Sequence, residues 1–389
     1  MSKVAVIGVG QSNFVRAYPG SIRELVFESF KEAMQDANMT AKDIEATVVC
    51  SAPEYDKQRS PSGVIAEYLG LNPQPTMYVE SLCSSSTSGL RIAYSLVKSG
   101  LHDVVMVLGF QKMSEIKAQE AQERMGRGGD IQWESPFGIM MPAQYAMFAK
   151  GHMAKYGLTL DDLANIRRKS SFYGALNPKA MLRKPIADDA LSNPENPLSK
   201  VLASPLRNGD CCNNADGSSC LIVCSEEKAK SFAKKPVWIK GLGSATAAVN
   251  MTGRENFYSL PAAIEAGRQA YAMAGMTPQN INVAEVHDCF TIAEMLAYEA
   301  LGFAKPGEGP ALIGAKETYK EGKIPVNVDG GLLSKGHPIG ATGGSQVRTI
   351  VLQLRGEAGD MQVKDPAIGL VHNVGGVGLY ANVTIFGRE

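Results

Sequence analysis

The sequence predicts an α/β fold made of two similar halves, with an inserted segment in the first. Three observations carry that prediction. Strand-like and helix-like segments alternate along most of the 389 residues. A short stretch near residue 37 recurs near residue 274. Residues 117–204 break the alternation with a composition of their own.

The elements follow in order. Lys3–Gly8 is a short apolar run ending in glycine. Ser21–Ala37 carries Ile22, Leu25, Val26, Phe30, Ala33 and Met34 at helical spacing. Ala46–Cys50 is apolar and β-branched, Met77–Glu80 runs extended toward Cys83, and Ser86–Lys98 reads as a helix. Asp103–Leu108 reads as a buried strand, and its continuous apolar character suits a sheet covered on both faces. The segment 117–204 is rich in Met, Gln, Arg and Pro, with turns at Asn177-Pro178, Asn193-Pro194 and Asn196-Pro197; it reads as an inserted loop domain folded over the sheet. Strand patterning returns at Cys220–Cys224 and Val237–Ile239.

The repeat is specific. Ala37-Asn38-Met39-Thr40-Ala41-Lys42-Asp43-Ile44 aligns with Ala274-Gly275-Met276-Thr277-Pro278-Gln279-Asn280-Ile281. Each copy ends a helix and leads into a strand, Thr47–Cys50 or Val283–Val286, and Ala33 matches Ala270 upstream. Val79-Glu80 before Cys83 resembles Val328-Asp329 before the glycine-rich turn at His337. The division that results is 1–116 and 205–235 for the first half, 117–204 for the insertion and 236–389 for the second half. A site between two like halves draws residues from both.

Bulk composition excludes several classes. Lys+Arg and Asp+Glu balance at 39 each with no basic stripe, so no nucleic-acid partner is expected. The longest apolar stretch, around Val104–Phe110, is too short to span a bilayer. Met1-Ser2-Lys3-Val4 leads straight into a strand pattern, so no signal peptide is expected. Seven cysteines without repeating spacing read as free thiols of a reducing cytoplasm.

Chemistry-bearing residues then stand out. Cys83 follows an extended run and opens a helix through Ser84, Ser85, Ser86 and Thr87. A helix N-terminus favours a thiolate and offers N–H groups to an oxyanion. A buried structural cysteine is the plain alternative. In Gly336-His337-Pro338-Ile339-Gly340-Ala341-Thr342-Gly343-Gly344, proline fixes the chain after a histidine that can serve as general base. No Lys-Ser/Thr follows the last glycine, which weakens a phosphate-loop reading. His287-Asp288-Cys289-Phe290 follows a strand at the end where α/β sites open. His287 can donate to a thioester oxygen and Cys289 is a second thiol; no matching ligand pair argues for a metal. Val371-His372-Asn373-Val374-Gly375-Gly376-Val377-Gly378 is a turn able to aim N–H groups into a site, or simply a tight β-connection. Cys50, Cys211, Cys212, Cys220 and Cys224 read as structural. Gly8-Val9-Gly10 mimics a dinucleotide fingerprint, but Asn13 occupies the third glycine position.

Together these motifs resemble the thiolase family over nearly the whole chain. His287-Asp288-Cys289-Phe290 and His372-Asn373-Val374-Gly375-Gly376 resemble the sterol-carrier-type and archaeal-type thiolases. The resemblance implies a five-layered fold of duplicated halves and CoA-dependent cleavage of a 3-ketoacyl-CoA, or the reverse Claisen condensation. It assigns Cys83 as nucleophile, His337 as its base, and His287 with His337 as an oxyanion site. Common thiolases carry their second catalytic cysteine in a C-terminal turn; here His372 stands in that place and Cys289 supplies the thiol. N–H groups of Cys83 and of Val374 or Gly375 would form a second oxyanion hole. CoA, the co-substrate, would lie under the insertion, with Arg183, Lys184 and Ser244 as candidate contacts. The family also implies a homodimer or dimer of dimers, and for this subtype a small zinc-ribbon/OB-fold accessory protein. No sterol-carrier domain is expected after Glu389. One residue departs from the pattern: Ser86 stands where the nucleophile run usually has glycine, and its Cβ is expected to narrow the acyl pocket or alter the helix start. The acyl group stays open, from acetoacetyl-CoA to aromatic or branched substrates such as benzoylsuccinyl-CoA. A decarboxylating ketosynthase would not need Cys289. A non-catalytic scaffold subunit would not need all of Cys83, His287, Cys289 and His337, and all are present.

Overall fold

In the computed structural model, residues 3–53, 58–231 and 235–389 are described. Met1 and Ser2, on which the reading of the N-terminus partly rests, lie outside them. The first half runs β1 (Val4–Gln11), α1 (Ile22–Ala37), β2 (Ala46–Cys50), α2 (Pro61–Tyr68), β3 (Thr76–Val79), α3 (Ser85–Lys98) and β4 (Val104–Lys112). Then come α4 (Ala118–Gly126), α5 (Met141–Tyr156), α6 (Leu160–Leu176) and the small antiparallel pair β5 (Val201–Ala203) and β6 (Leu206–Arg207). β7 (Asp216–Ser225) and the short α7 (Glu226–Ala229) follow. The second half is β8 (Val237–Thr246), α8 (Pro261–Ala274), β9 (Val283–Val286), α9 (Thr291–Ala300), α10 (Gly309–Gly314), α11 (Gly331–Lys335), α12 (Thr342–Arg355), β10 (Ile368–Gly375) and β11 (Tyr380–Gly387).

Among the described residues, nine strands join in the order β3-β2-β4-β7-β1-β8-β11-β10-β9. The order mirrors itself about the β1–β8 contact, where only Ala5↔Trp238 and Val6↔Val237 pair. Strands of both half-sheets, from Val48 and Val107 to Val283 and Val371, share one core with α3 (Leu90, Ala93, Val97) and α12 (Val347, Ile350, Val351, Leu354). A second core packs α1 and α2 on the outer face of the first half. A third joins α8 and α9 to the outer face of the second half and to the insertion. The layers are therefore helix, sheet, helix, sheet, helix, the five-layered α/β fold expected.

The repeat has a physical basis in each half. α1 ends at Asn38 (φ 52°) and α8 at Gly275 (φ 64°), both left-handed caps. A capping box then follows in each copy, Thr40 with Asp43 and Thr277 with Asn280. The discounted Gly8-Val9-Gly10 run also has a cause. A Cβ at Gly10 would stand 2.0 Å from the Ser29 carbonyl of α1, and one at Gly243 of β8 would stand 1.8 Å from the Ala266 carbonyl of α8. Glycine at these positions lets each helix lie directly on its strand.

The insertion is more helical than its sequence suggests. α6 buries Arg167, Lys169, Ser170 and Ser171 alongside Leu163 and Ile166, so no apolar stripe marks its inner face. Lys169 pairs with Glu294 and donates to the Val326 carbonyl at 2.8 Å, and Arg167 donates to Ser334 at 2.8 Å. These polar contacts dock the insertion on the second half.

Candidate active site

Cys83 sits in a single 3₁₀ turn, Leu82–Ser84, between β3 and α3. Leu82 takes φ 53°, a backbone that turns the chain sharply before the thiol. The serine run holds that turn. Ser84 Oγ donates to the Ser81 carbonyl at 2.7 Å, and Ser85 Oγ donates to the Leu82 carbonyl at 2.6 Å while accepting the Ser81 N–H at 3.0 Å. Ser86 and Thr87 reach outward instead, to the Gly344 N–H (3.0 Å) and to Asn373 Oδ1 (3.0 Å). The acyl-pocket half of the expectation for Ser86 is corrected here. Its side chain is buried against the start of α12 and is not among the residues lining the cavity, so it ties two helices together rather than narrowing an acyl pocket.

The halves bring three of the expected residues together. One ligand-capable atom each of Cys83, His287 and His337 lies within 4.8 Å of the others. The two imidazoles meet edge to face, centroids 5.2 Å apart. His337 Nδ1 is 2.7 Å from Thr342 Oγ1, and His287 Nδ1 is 3.0 Å from Asn373 Nδ2; both Nε2 atoms are buried with no protein partner. Burial keeps the rings neutral. It moves His337 down to about 3 and His372 to about 4, and it moves His287 well below its usual range, aided by His337 and His372. Unfolded histidines take up a proton near pH 6.5, whereas these do not. Stability is thus whole above that pH and is lost as pH falls from 6.5 toward the folded values, by about 2 kcal/mol at pH 5 for each of His337 and His372. Urea midpoints should drop between pH 7 and pH 5; an unchanged midpoint contradicts the buried neutral rings.

Cys83, Cys289 and His337 line one cavity of about 630 Å³. The insertion supplies Met125, Met141, Pro142 and Tyr145 to it, and Arg16 is the one charged side chain among its described lining residues. Cys289 is 6% exposed; burial pushes its thiol well up, opposed by a hydrogen bond from Tyr145. Tyr145 also stacks on Phe290 (4.4 Å), and the Gly376 carbonyl, 3.3 Å from its hydroxyl, competes with Cys289 for its one proton. Tyr145, Thr342 and Asn373 are residues that sequence reasoning passed over as site residues; Thr342 and Asn373 lie inside the glycine-rich runs around His337 and His372, whereas nothing in its local sequence marks Tyr145.

Other expected residues fall elsewhere. Val374 and Gly375 remain inside the β10–β11 ladder, paired with Ala381 and Tyr380, so the lining residue of that turn is Gly376. Arg183 and Lys184 are exposed and outside the lining set. Ser244 lies in β8, paired with Asn382 and bonded through its N–H to Gln269, also outside that set. The reading of Cys211 and Cys212 as merely structural needs correction, because both line the cavity. They belong to a strap that bridges both motifs: Cys211 pairs with Phe290, Cys212 N–H donates to the Cys289 carbonyl (2.9 Å) and Asn214 pairs with His337. Asp288 completes the link, accepting the Leu332 N–H of α11 at 2.7 Å.

Comparison with known proteins places the chain in a family. Residues 4–193 match the model of the thiolase N-terminal domain, and 243–388 match the thiolase C-terminal domain-like model. The chain is 37% identical to an acetyl-CoA acetyltransferase of Methanothermobacter thermautotrophicus, over all of both chains. It is 32% identical to the benzoylsuccinyl-CoA thiolase subunit BbsB of Thauera aromatica, covering 96% of this chain and 95% of that one. It is 30% identical to human sterol carrier protein 2, covering 99% of this chain and 72% of that protein. Among solved structures, one titled "Ltp2-ChsH2(DUF35) aldolase" superposes with a TM-score of 0.86 at 26% identity, covering 99% of this chain and 97% of that one. A duplicated five-layered fold, two matching domain models and full-length relatives together place this chain in the thiolase family of enzymes.

Proposed function

We propose that this thiolase cleaves a 3-ketoacyl-CoA with CoA, and runs the reverse Claisen condensation, through an acyl group carried on Cys83. The observation that carries the reading is the convergence of Cys83, His287 and His337 within 4.8 Å beside a cavity that also holds Cys289. His337 Nε2 takes the Cys83 proton, and Sγ attacks the C3 carbonyl of the substrate. The oxyanion is met by His287 and by the now protonated His337. The C2–C3 bond breaks, and Cys289 protonates the departing carbanion of the shorter CoA ester. The incoming CoA thiol gives its proton to the Cys289 thiolate; its sulfur displaces the acyl group from Cys83. The Cys83 N–H and the Gly375–Gly376 turn serve the second tetrahedral intermediate.

The lining favours acyl groups bulkier than acetyl, since Met113, Met125, Met141, Ile116 and Ile339 offer an adaptable apolar surface. Arg16 at the mouth is a better placed CoA-phosphate contact than Arg183, Lys184 or Ser244. Assembly as a homodimer or dimer of dimers, with a small zinc-ribbon/OB-fold accessory chain, belongs to the same reading. It is supported by the word subunit in the name of the Thauera relative and by the two-component title of the structural neighbour. The exposed Ile131, Trp133 and Phe137 before α5 also suit a partner. Free thiols suit a cytoplasmic setting; no helix among the described residues is long and apolar enough to cross a membrane.

The test is CoA-dependent cleavage across a panel of 3-ketoacyl-CoAs, with and without copurifying chains, and mass spectrometry of the trapped enzyme. The expected result is release of acetyl-CoA or a homologous CoA ester, with acyl mass on the Cys83 peptide. Acyl mass confined to another cysteine overturns the mechanism. A Cys83 that resists iodoacetamide at neutral pH, with no turnover, points to a scaffold.

A further inference from the structure

The strap that borders the cavity sets two thiols opposite each other. Cys211 bridges Phe290 in antiparallel register. One residue on along the strap, Cys212 faces Cys289, and its N–H donates to the Cys289 carbonyl at 2.9 Å. Opposed residues of an antiparallel pair project to the same face, with Cα atoms about 5.5 Å apart where backbone hydrogen bonds join them. That spacing lies inside the roughly 4.4–6.8 Å over which two cysteines can be bridged. The register is pinned from both ends. Asp210 accepts the Thr291 hydroxyl at 3.0 Å and Arg207 Nε at 2.8 Å, and the Asn213 carbonyl accepts the His337 N–H at 3.0 Å. Cys211 also borders the cavity, but strand alternation turns its side chain the other way, and its Sγ donates to the Arg207 carbonyl at 3.5 Å. Cys212 and Cys289 thus share one face and one cavity of about 630 Å³ with Cys83. The thiolase chemistry uses Cys83 and Cys289 and has no task for Cys212.

We propose that Cys212 is the resolving thiol of Cys289, and that a hydroperoxide entering the cavity converts the two to a reversible disulfide. The disulfide rests on the strand register; its effect on turnover rests on the thiolase reading. Burial raises both thiols, and the charge of a Cys289 thiolate raises Cys212 further, so Cys289 ionises first. The Cys289 thiolate attacks one peroxide oxygen. An S–O bond forms, the O–O bond breaks, and the hydroxide that leaves takes up the Cys289 proton as water. The sulfur of Cys212 then attacks that of Cys289. The S–S bond forms, the S–O bond breaks, and the sulfenic hydroxyl leaves as water with the Cys212 proton. Two thiols give up two electrons, and the peroxide is reduced to two waters. Without a resolving thiol, a sulfenic acid advances to sulfinic acid, which ordinary reductants do not reverse. An acyl group on Cys83 caps the competing thiol, so the disulfide arises on the acyl-enzyme waiting for CoA. There it removes the group that deprotonates the CoA thiol, and the acyl group stays on Cys83 until a reductant restores Cys289. In a reducing compartment, disulfides are usually transient ones of this kind.

The test uses the full chain acylated on Cys83 by an aryl thioester and, beside it, the Cys83→Ala variant, in which the disulfide needs no thiolase chemistry. Each is treated with stoichiometric hydrogen peroxide, digested without reduction and mapped by mass spectrometry. The expected product is a cross-link joining the Cys212 and Cys289 peptides. Release of the acyl group to CoA should fall by about 10²–10⁴-fold, the range for loss of a positioned acid–base group. It should return on adding a phosphine, which reduces the disulfide and spares the thioester. Cys212→Ser should form no cross-link and should carry sulfinic acid on Cys289, with no recovery in phosphine. Cys211→Ser should still form the cross-link. A cross-link between Cys211 and Cys212 overturns the inference, as does a wild-type Cys289 that reaches sulfinic acid as readily as in Cys212→Ser. So does a Cys83–Cys289 bond that leaves Cys212 free when the uncapped enzyme is oxidised. If Cys212→Ser fails to fold, Cys212→Ala gives the same comparison, and the wild-type map still decides. These outcomes leave the thiolase reading intact; that reading fails instead if the reduced wild type shows no CoA-dependent cleavage.

Discussion

Replacing Cys289 with alanine is expected to lower thiolytic turnover by about 10²–10⁴-fold, the range for loss of a positioned acid–base group, while Cys83 still accepts an acyl group. Both thiols line the same cavity, but they differ in setting. Cys83 occupies a braced turn at the start of α3, whereas Cys289 is buried behind the Tyr145–Phe290 stack. Burial raises the Cys289 thiol well above its ordinary value, so it holds a proton at neutral pH and can deliver it to a carbanion. The Tyr145 hydrogen bond opposes that shift and stabilises the thiolate left behind. An aryl thioester separates the steps, because its thiolate leaves without needing a proton. The Cys289→Ala enzyme should give stoichiometric acylation of Cys83 with this reagent, seen by mass spectrometry, and only slow release to CoA. Undiminished thiolysis in that variant removes Cys289 from the mechanism and reopens the ketosynthase reading.

Lys335→Met is expected to destabilise the fold by about 3–5 kcal/mol, the usual result of breaking one side of a buried ion pair. Lys335, 1% exposed at the end of α11, pairs with the fully buried Asp329. Against burial, which acts to raise it, Lys335 and the Thr349 hydroxyl hold the Asp329 carboxyl below its usual range. Without Lys335 a carboxylate is left uncompensated next to Glu285, whose own carboxyl is pushed well up by burial and by Asp329. α11 leads directly into Gly336-His337, so the base of the reaction should be displaced with it. Chemical denaturation measures the first effect and kcat the second. The double variant Asp329→Asn/Lys335→Met should recover much of the stability, since no charge is left unpaired. If the double variant is no better than the single, packing of the lysine stem rather than the charge pair accounts for the loss.

The α/β class, the doubling, the elbow cysteine and the two histidine motifs were legible in the sequence. Each is written in short-range terms: alternating periodicity, a repeated cap such as Thr40–Asp43 and Thr277–Asn280, or a glycine–proline turn around His337. The helices of the insertion were not legible, because α6 spends its inner face on Arg167 and Lys169. The place of Ser86 was not legible either, since its partner, the Gly344 N–H, is 258 residues away. The same holds for the strap at Cys211 and Cys212, which looked like idle thiols until it was found against Phe290 and His337.

By itself the sequence determined which groups can react: two thiols, two imidazoles and the local turns that present them. Tertiary structure decided how they differ. It set Thr342 on one imidazole and Asn373 on the other, buried both rings so that they stay neutral, and closed Cys289 behind Tyr145. Protonation state and access depend on neighbours distant in sequence, such as Asn373 for His287 and Tyr145 for Cys289, and on exclusion of water. Neither is carried by the residues on either side of a catalytic position.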